Sequence, residues 1–349
     1  MNIESMTGGL KPEDDYVLPE PPECEWVREG ASFWIFEENG EFGFPRMGVE
    51  AEPHTWINRR YAANMAFADG RVLNGSGVGA MTAPIDAQGR PSILSGGPLT
   101  FQCLEPFRKW RVAFNGEVVD TNVSQQIANT VDRSRTIPLK YEIQLEMAAP
   151  AFVQDNSPAK FFKLGKGEQR DGLSVGLGWR LEQVFRGQGE VTIDGKRRDF
   201  KAVGMRVKRR SIRTDGLFLR GHCWQSAVFP DGRAFGYLAY PPHDDGHEPW
   251  HDGFIYQDGK MHRAKAIEAP WLRGIVGSGA DVSVTLRSEL GDTRIEGSTT
   301  LSTFRIANRD IWGLNLNQSG VRYTWDGQSA LGMIERSAPS NLTTIVKKD

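Results

Sequence analysis

The chain has 349 residues, and its 42 Lys and Arg against 44 Asp and Glu leave a formal net charge of −2. That balance argues against nucleic-acid binding through bulk electrostatics, which needs a basic excess, and no apolar run approaches the roughly 18 residues of a membrane span, so an integral membrane protein is not expected. The polar, acidic start from Met1 to Asp15 shows no secretory pattern. Cys24, Cys103 and Cys223 are too few for a disulfide framework or a cysteine zinc site, so a cytoplasmic location is expected.

Glycines punctuate the chain in a regular way. Asn-Gly or Asp-Gly occurs twelve times, from Asn39-Gly40 to Asp326-Gly327. These pairs accept positive φ at both centres of a tight hairpin turn. In chain order, Ser32–Phe36 and Glu41–Phe44 bracket Asn39-Gly40, and Ala62–Phe67 runs into Asp69-Gly70. Trp110–Phe114 precedes Asn115-Gly116, and Gly178–Phe185 leads towards Asp194-Gly195. Cys223–Phe229 and Ala234–Tyr240 flank Asp231-Gly232, and Val282, Val284 and Leu286 alternate with polar residues. Period two marks half-buried antiparallel strands. One short helix is expected within Asp120–Val131, capped by Asp120 or Thr121. The polar stretch Gln154–Gly176 reads as a boundary between an N-terminal β domain over 19–155 and a C-terminal one over 176–337.

No phosphate loop, nucleophile elbow or HExxH occurs, so the chemistry must come from side chains scattered on strands. Within His222-Cys223-Trp224, His222 and Trp224 share one face of a strand, and an imidazole there can serve as acid or base. Glu335 shares a face with Met333 and Ser337, where burial would raise its pKa and make it a proton donor. Trp110, Tyr61, His54 and Trp56 are candidate pocket walls. His243, His247 and His251 form a loop cluster with carboxylates, a weak metal candidate, since Gly246 and Pro249 oppose a helix that would align them. Lys196-Arg197-Arg198 and Lys208-Arg209-Arg210 read as solvated edge charges. The many strand-borne aromatics fit an apolar cavity inside a barrel.

The stretch Leu104–Gly116, the run Gly178–Gly204 with its Asp194-Gly195 hairpin, His222–Phe235 and the closing Gly332–Glu335 segment together resemble the AttH-like, carotenoid 1,2-hydratase-like and tocopherol cyclase-like proteins. The resemblance runs from about Ser32 to Ser337 and is loose in its motifs. It departs where relatives carry an Arg-Asp-His-Ser-Trp-Gly-like stretch: here the region reads Arg206-Val207-Lys208-Arg209-Arg210-Ser211. The resemblance implies an all-β fold of two tandem lipocalin-like barrels or strongly bent sheets around a ligand cavity, and a lyase or isomerase without cofactor. The substrate it implies is a terpenoid- or steroid-like small molecule. His222 and Glu335 are then the expected acid/base pair. A non-catalytic carrier and a metal enzyme using the His243–His251 loop are the alternatives. The partner expected is a small hydrophobic ligand, and a homodimer stays open.

Overall fold

Three hairpins show how the sequence turns back on itself. At Asp194-Gly195, Asp258-Gly259 and Asp326-Gly327 both residues have positive φ, 47° and 77° in the first case. That is the backbone a two-residue I′ turn requires. The computed structural model describes residues 6–213, 220–308 and 313–346; Asp215-Gly216 lies outside them. Not every Asn-Gly is a turn. Asn115-Gly116 sits within one continuous strand, where Gly116 packs against the Pro98 ring.

The first sheet contains β1 (Val27–Glu37), β2 (Phe42–Ala51), β3 (Asn58–Phe67), β4 (Arg71–Ala80), β5 (Ile93–Gly96), β6 (Leu99–Glu105) and β7 (Lys109–Asn122). It continues through β8 (Thr136–Met147), β9 (Phe152–Asn156), β10 (Leu177–Ile193) and β11 (Lys196–Ile212). Its order is β4-β3-β2-β1-β11-β10-β8-β7-β6-β5, and β4 also pairs with β7, which curls the sheet round on itself. The second sheet is a closed antiparallel barrel of eight strands. They are β12 (His222–Val228), β13 (Ala234–Ala239), β14 (His251–Gln257), β15 (Lys260–Glu268), β17 (Val284–Ser288), β18 (Gly291–Asn308), β19 (Leu314–Trp325) and β20 (Gln328–Pro339). A small parallel pair, β16 (Gly274–Ile275) with β21 (Thr344–Ile345), lies outside both. The protein is therefore all-β and double lipocalin-like in architecture.

Helices are short. α1 (Val123–Ala128) is capped by Asn122, whose side chain accepts from the Gln125 amide at 2.9 Å, one or two residues beyond the expected caps. α2 (Pro158–Phe161) and α3 (Lys166–Val175) occupy the segment read as a boundary. The strands on either side of that segment, β9 and β10, both belong to the first sheet. In chain order the sheets change over after Ile212, not at 154–176.

Each barrel is filled by its own side chains. In the first, Phe33, Phe101, Trp110 and Phe185 are fully buried, and Phe33 lies 4.6 Å from Phe101 and 5.8 Å from Trp110, centroid to centroid. In the second, Phe235 meets Tyr323 edge-on at 5.1 Å. The aromatic residues expected to wall a cavity inside each barrel are, for the most part, close-packed core. A third apolar cluster joins the two barrels from outside. Trp34 and Met205 of the first pack with Trp224, Phe254 and Met333 of the second.

The first barrel also holds buried charge. The 3₁₀ turn Pro12–Asp15 carries Asp15 into its interior, where the carboxylate accepts from the Phe107 amide at 2.6 Å, Trp110 Nε1 at 3.1 Å and Arg206 Nη1 at 2.7 Å. Burial would raise this carboxyl, but Arg206 and Lys208 hold it below its ordinary value. Lys208 Nζ donates to the Asp14 carbonyl at 2.7 Å and lies 3.4 Å from Glu29. The Lys208-Arg209-Arg210 run is thus not a solvated edge: Lys208 points into the barrel, and Arg210 pairs with Glu29. Asp15→Ala would leave buried Arg206 without its carboxylate partner, and we expect a loss of about 3–5 kcal/mol, read as a lowered urea midpoint at unchanged slope.

Candidate active site between the barrels

Neighbouring strands of the second barrel build the core of the site. β12 pairs with β20 so that His222 opposes Ser337 and Trp224 opposes Glu335. Period two sends all four side chains to the outer face, towards the first barrel. His222 Nδ1 lies 2.8 Å from Ser337 Oγ, and Nε2 lies 3.2 Å from Glu335 Oε1. Gln318 on β19 also donates to Glu335.

The first barrel contributes the opposite wall. Arg46 sits at a bulge in β2, where Phe33 pairs Met47 but Ile35 pairs Phe44. Its φ of 66° is left-handed, a conformation that costs a non-glycine residue roughly 1 kcal/mol or more. The bulge re-aims the side chain across the seam, and Nη1 lies 3.3 Å from Glu335 Oε2. Burial alone would raise Glu335, but Arg46, His222 and Gln318 together hold it well below the usual carboxylate range. This corrects the expectation of a proton-donating Glu335: it is an anion at any ordinary pH. An ionised carboxylate only accepts hydrogen bonds, so His222 Nε2 carries its proton towards Glu335. In neutral His222, Nδ1 is then the acceptor for the Ser337 hydroxyl.

Around this triad lies a cleft of about 120 Å³. Trp34 and Trp224 pack against each other edge-on at 4.5 Å in its wall, and Arg180 stacks over Trp224 at 4.5 Å. Tyr240 also lines it, and burial raises its phenol, keeping it neutral. Five arginines, Arg46, Arg180, Arg209, Arg213 and Arg305, line the cleft against one carboxylate, Glu335, among the described residues. A larger open groove of about 820 Å³ lies on the first barrel, lined by Glu37, Glu142, Glu190 and Asp199 among others. It holds no histidine, and its Arg198 is already paired with Glu37 and Glu41.

Of the residues singled out in the sequence, the structure brings together His222, Glu335 and Trp224. Trp110 is core, donating to Asp15. Trp56 is buried beneath Arg59, whose guanidinium lies 4.8 Å from its ring. Tyr61 packs beside Gly77 and Gly97 on the first barrel, and His54 is exposed beside Glu52. None of these four lines the cleft. The loop histidines are separated by their own partners. His243 bonds Asp171 at 3.1 Å, both His251 nitrogens lie within 3.0 Å of the Ala266 and Tyr240 carbonyls, and His247 is exposed. Among the described residues no three ligand side chains gather into a metal cluster. Trp34, Arg46 and Arg213 were not singled out as site residues, and Arg209 was read as a solvated edge charge; the faces of β1 and β11 on which Trp34 and Arg209 lie depend on register.

Comparison with known proteins gives the same architecture. The fold is that of AttH-like, double lipocalin-like proteins. A Nitrosomonas europaea structure described as an AttH is 13% identical, covers 92% of this chain and 98% of its own, and has a TM-score of 0.54. CghA with Sch210972 is 10% identical over 97% of each chain, TM-score 0.52. Kievitone hydratase from Nectria haematococca is 12% identical over 95% of each, TM-score 0.50. No curated protein matches the sequence. The chain belongs to the family described as "Domain of unknown function (DUF7064)", whose model matches residues 11–340. No helix among the described residues is long and apolar enough to cross a membrane.

The depressed Glu335 carries a pH signature. A carboxyl lowered in the native state stabilises fully above its unfolded pKa, about 4.3, and that contribution is lost as pH falls towards the native value. Wild-type protein should therefore be more stable than Glu335→Gln at neutral pH. The gap should narrow below about pH 5, by ~1.4 kcal/mol for each pH unit fully traversed. Urea titrations of both proteins from pH 7 to 3 read this directly.

Proposed function

We propose that this protein is a cofactor-independent enzyme of the hydratase or dehydratase type, acting on a small molecule with an apolar scaffold held between the barrels. The observation that carries this reading is His222, hydrogen-bonded on one side to an ionised Glu335 and on the other to Ser337, in an aromatic-walled cleft. Glu335 is a positioning residue: its charge fixes the imidazole and stabilises the cation formed when His222 takes up a proton. The Ser337 hydroxyl passes protons between Nδ1 and the substrate. In dehydration the imidazolium gives a proton to the leaving hydroxyl, and the neutral imidazole then takes one from the adjacent carbon. Hydration is the reverse. The indoles of Trp34 and Trp224 give the cleft an apolar wall beside the scaffold. A structural neighbour that is a hydratase by name supports the same class.

The experiment is incubation of wild-type protein with a panel of hydroxylated terpenoids and steroids in ¹⁸O-labelled water, followed by mass spectrometry. We expect gain or loss of water on at least one scaffold. His222→Ala should slow that reaction about 10²–10⁴-fold, and Ser337→Ala should slow it while His222 remains in place. A compound that binds but returns unchanged and unlabelled would identify a carrier instead.

A further inference from the structure

The charges around the cleft are not balanced. Arg46 is occupied by Glu335 and lies 3.7 Å from Glu50, and Arg180 is occupied by Glu182 and Gln154. Arg209 differs. Among the described residues its guanidinium has no ion pair or hydrogen bond, and Glu50 offsets its charge at longer range. It shares the cleft lining with Arg213, Arg180 and Arg46, and burial together with their charges pushes it down to about 9. Among the described residues the Arg213 guanidinium also has no ion pair or hydrogen bond, while its backbone amide donates to the Trp26 carbonyl.

Two further donors point the same way. Trp34 Nε1 and Trp224 Nε1 are both buried without an acceptor among the described residues. Both indoles belong to the cleft wall, and buried polar groups are rarely left unpaired unless something else fills the gap. Unpaired guanidinia and unpaired indole N–H groups share one requirement, a hydrogen-bond acceptor, and the guanidinia favour one carrying negative charge. The cleft volume, about 120 Å³, approaches that of the engineered cavity of about 150 Å³ that holds benzene. A single flat ring or a headgroup of that size fits.

The geometry points to recognition of an organic anion: a carboxylate seated against Arg209 and Arg213, on a flat apolar group held by Trp34 and Trp224. Guanidinium binds carboxylate through two parallel hydrogen bonds, and the indole pair supplies the apolar wall. This deepens the reading above by giving its substrate an acidic end, and it rests on that reading only for the claim that the ligand is also turned over. The anion site orients the scaffold beside His222 and Ser337.

The test uses calorimetric titration of the full-length protein with trans-cinnamate, its neutral isostere cinnamamide, and inorganic phosphate. We expect cinnamate to bind at least tenfold tighter than cinnamamide. Arg209→Met should erase that preference without lowering the melting temperature, because it removes an uncompensated cation. Arg213→Met, read in the same way, serves if the first variant does not fold. His222→Ala should keep the preference, so loss of turnover and loss of anion recognition are read separately. Equal binding of acid and amide, binding of neither, or a preference that survives both arginine variants would overturn the proposal. Phosphate binding as tightly as cinnamate would also overturn it, by showing a site for inorganic anions.

Discussion

The structure depends on two barrels being docked through their outer faces. A strand in a simple barrel needs one apolar face, but β1 is buried on both: Phe33 and Ile35 fill the first barrel, while Trp34 and Phe36 meet the second. β13 is buried throughout, with Phe235 and Tyr237 inward and Leu238 towards the seam. Burying an indole such as Trp34 or Trp224 removes about 150–250 Å² from water. Such contacts bring the outer faces together and leave the cleft where the fit is incomplete. The Arg46–Glu335 pair crosses the same seam. A buried pair of this kind adds little net stability but fixes register, since sliding one barrel would separate two desolvated charges.

The chain spends stability at the seam. Arg46 adopts a left-handed backbone at a β2 bulge, Arg209 lacks a close partner among the described residues, and two buried indole N–H groups lack acceptors there. An unsatisfied buried donor costs roughly 1–3 kcal/mol. By contrast, the ionic plug of the first barrel is well satisfied: Asp15 accepts from Phe107, Trp110, Arg206 and the Cys103 thiol, and Arg206 also reaches Gln183. The difference separates the two buried polar clusters. One is complete within the protein and structural; the other is a set of donors awaiting an acceptor.

Legibility from sequence followed the length scale of each interaction. Local signals worked where both partners are close in the chain: Asp194-Gly195 and Asp326-Gly327 are turns, and α1 falls within the expected twelve residues. Period two put His222 with Trp224 and Glu335 with Ser337 on shared faces, and the β12–β20 register brings these pairs opposite each other. Trp110, Tyr61, Trp56 and His54 could not be sorted this way. An aromatic on a strand looks the same whether it fills a barrel or walls a cleft, and a one-residue change in face decides between them. The uninterrupted apolar run Phe33-Trp34-Ile35-Phe36 carried a usable signal, because a run without alternation marks a strand buried on both sides.

The same reasoning explains the misread basic run. Lys208, Arg209 and Arg210 follow one another on β11, so period two must send Lys208 and Arg210 to one face and Arg209 to the other. Read as a block, they look like a solvated edge. Read as alternate faces of a strand with a barrel on each side, no member need reach bulk water. Lys208 then needs a counter-charge inside the first barrel, and Glu29 with the Asp14 carbonyl supplies it. Arg210 turns back to Glu29 and the Tyr16 carbonyl at the edge of the same charge cluster. Arg209 emerges between the barrels, where the first barrel offers it only distant Glu50. A cation placed there by strand geometry, without a close partner among the described residues, is free to meet an acceptor that enters the cleft.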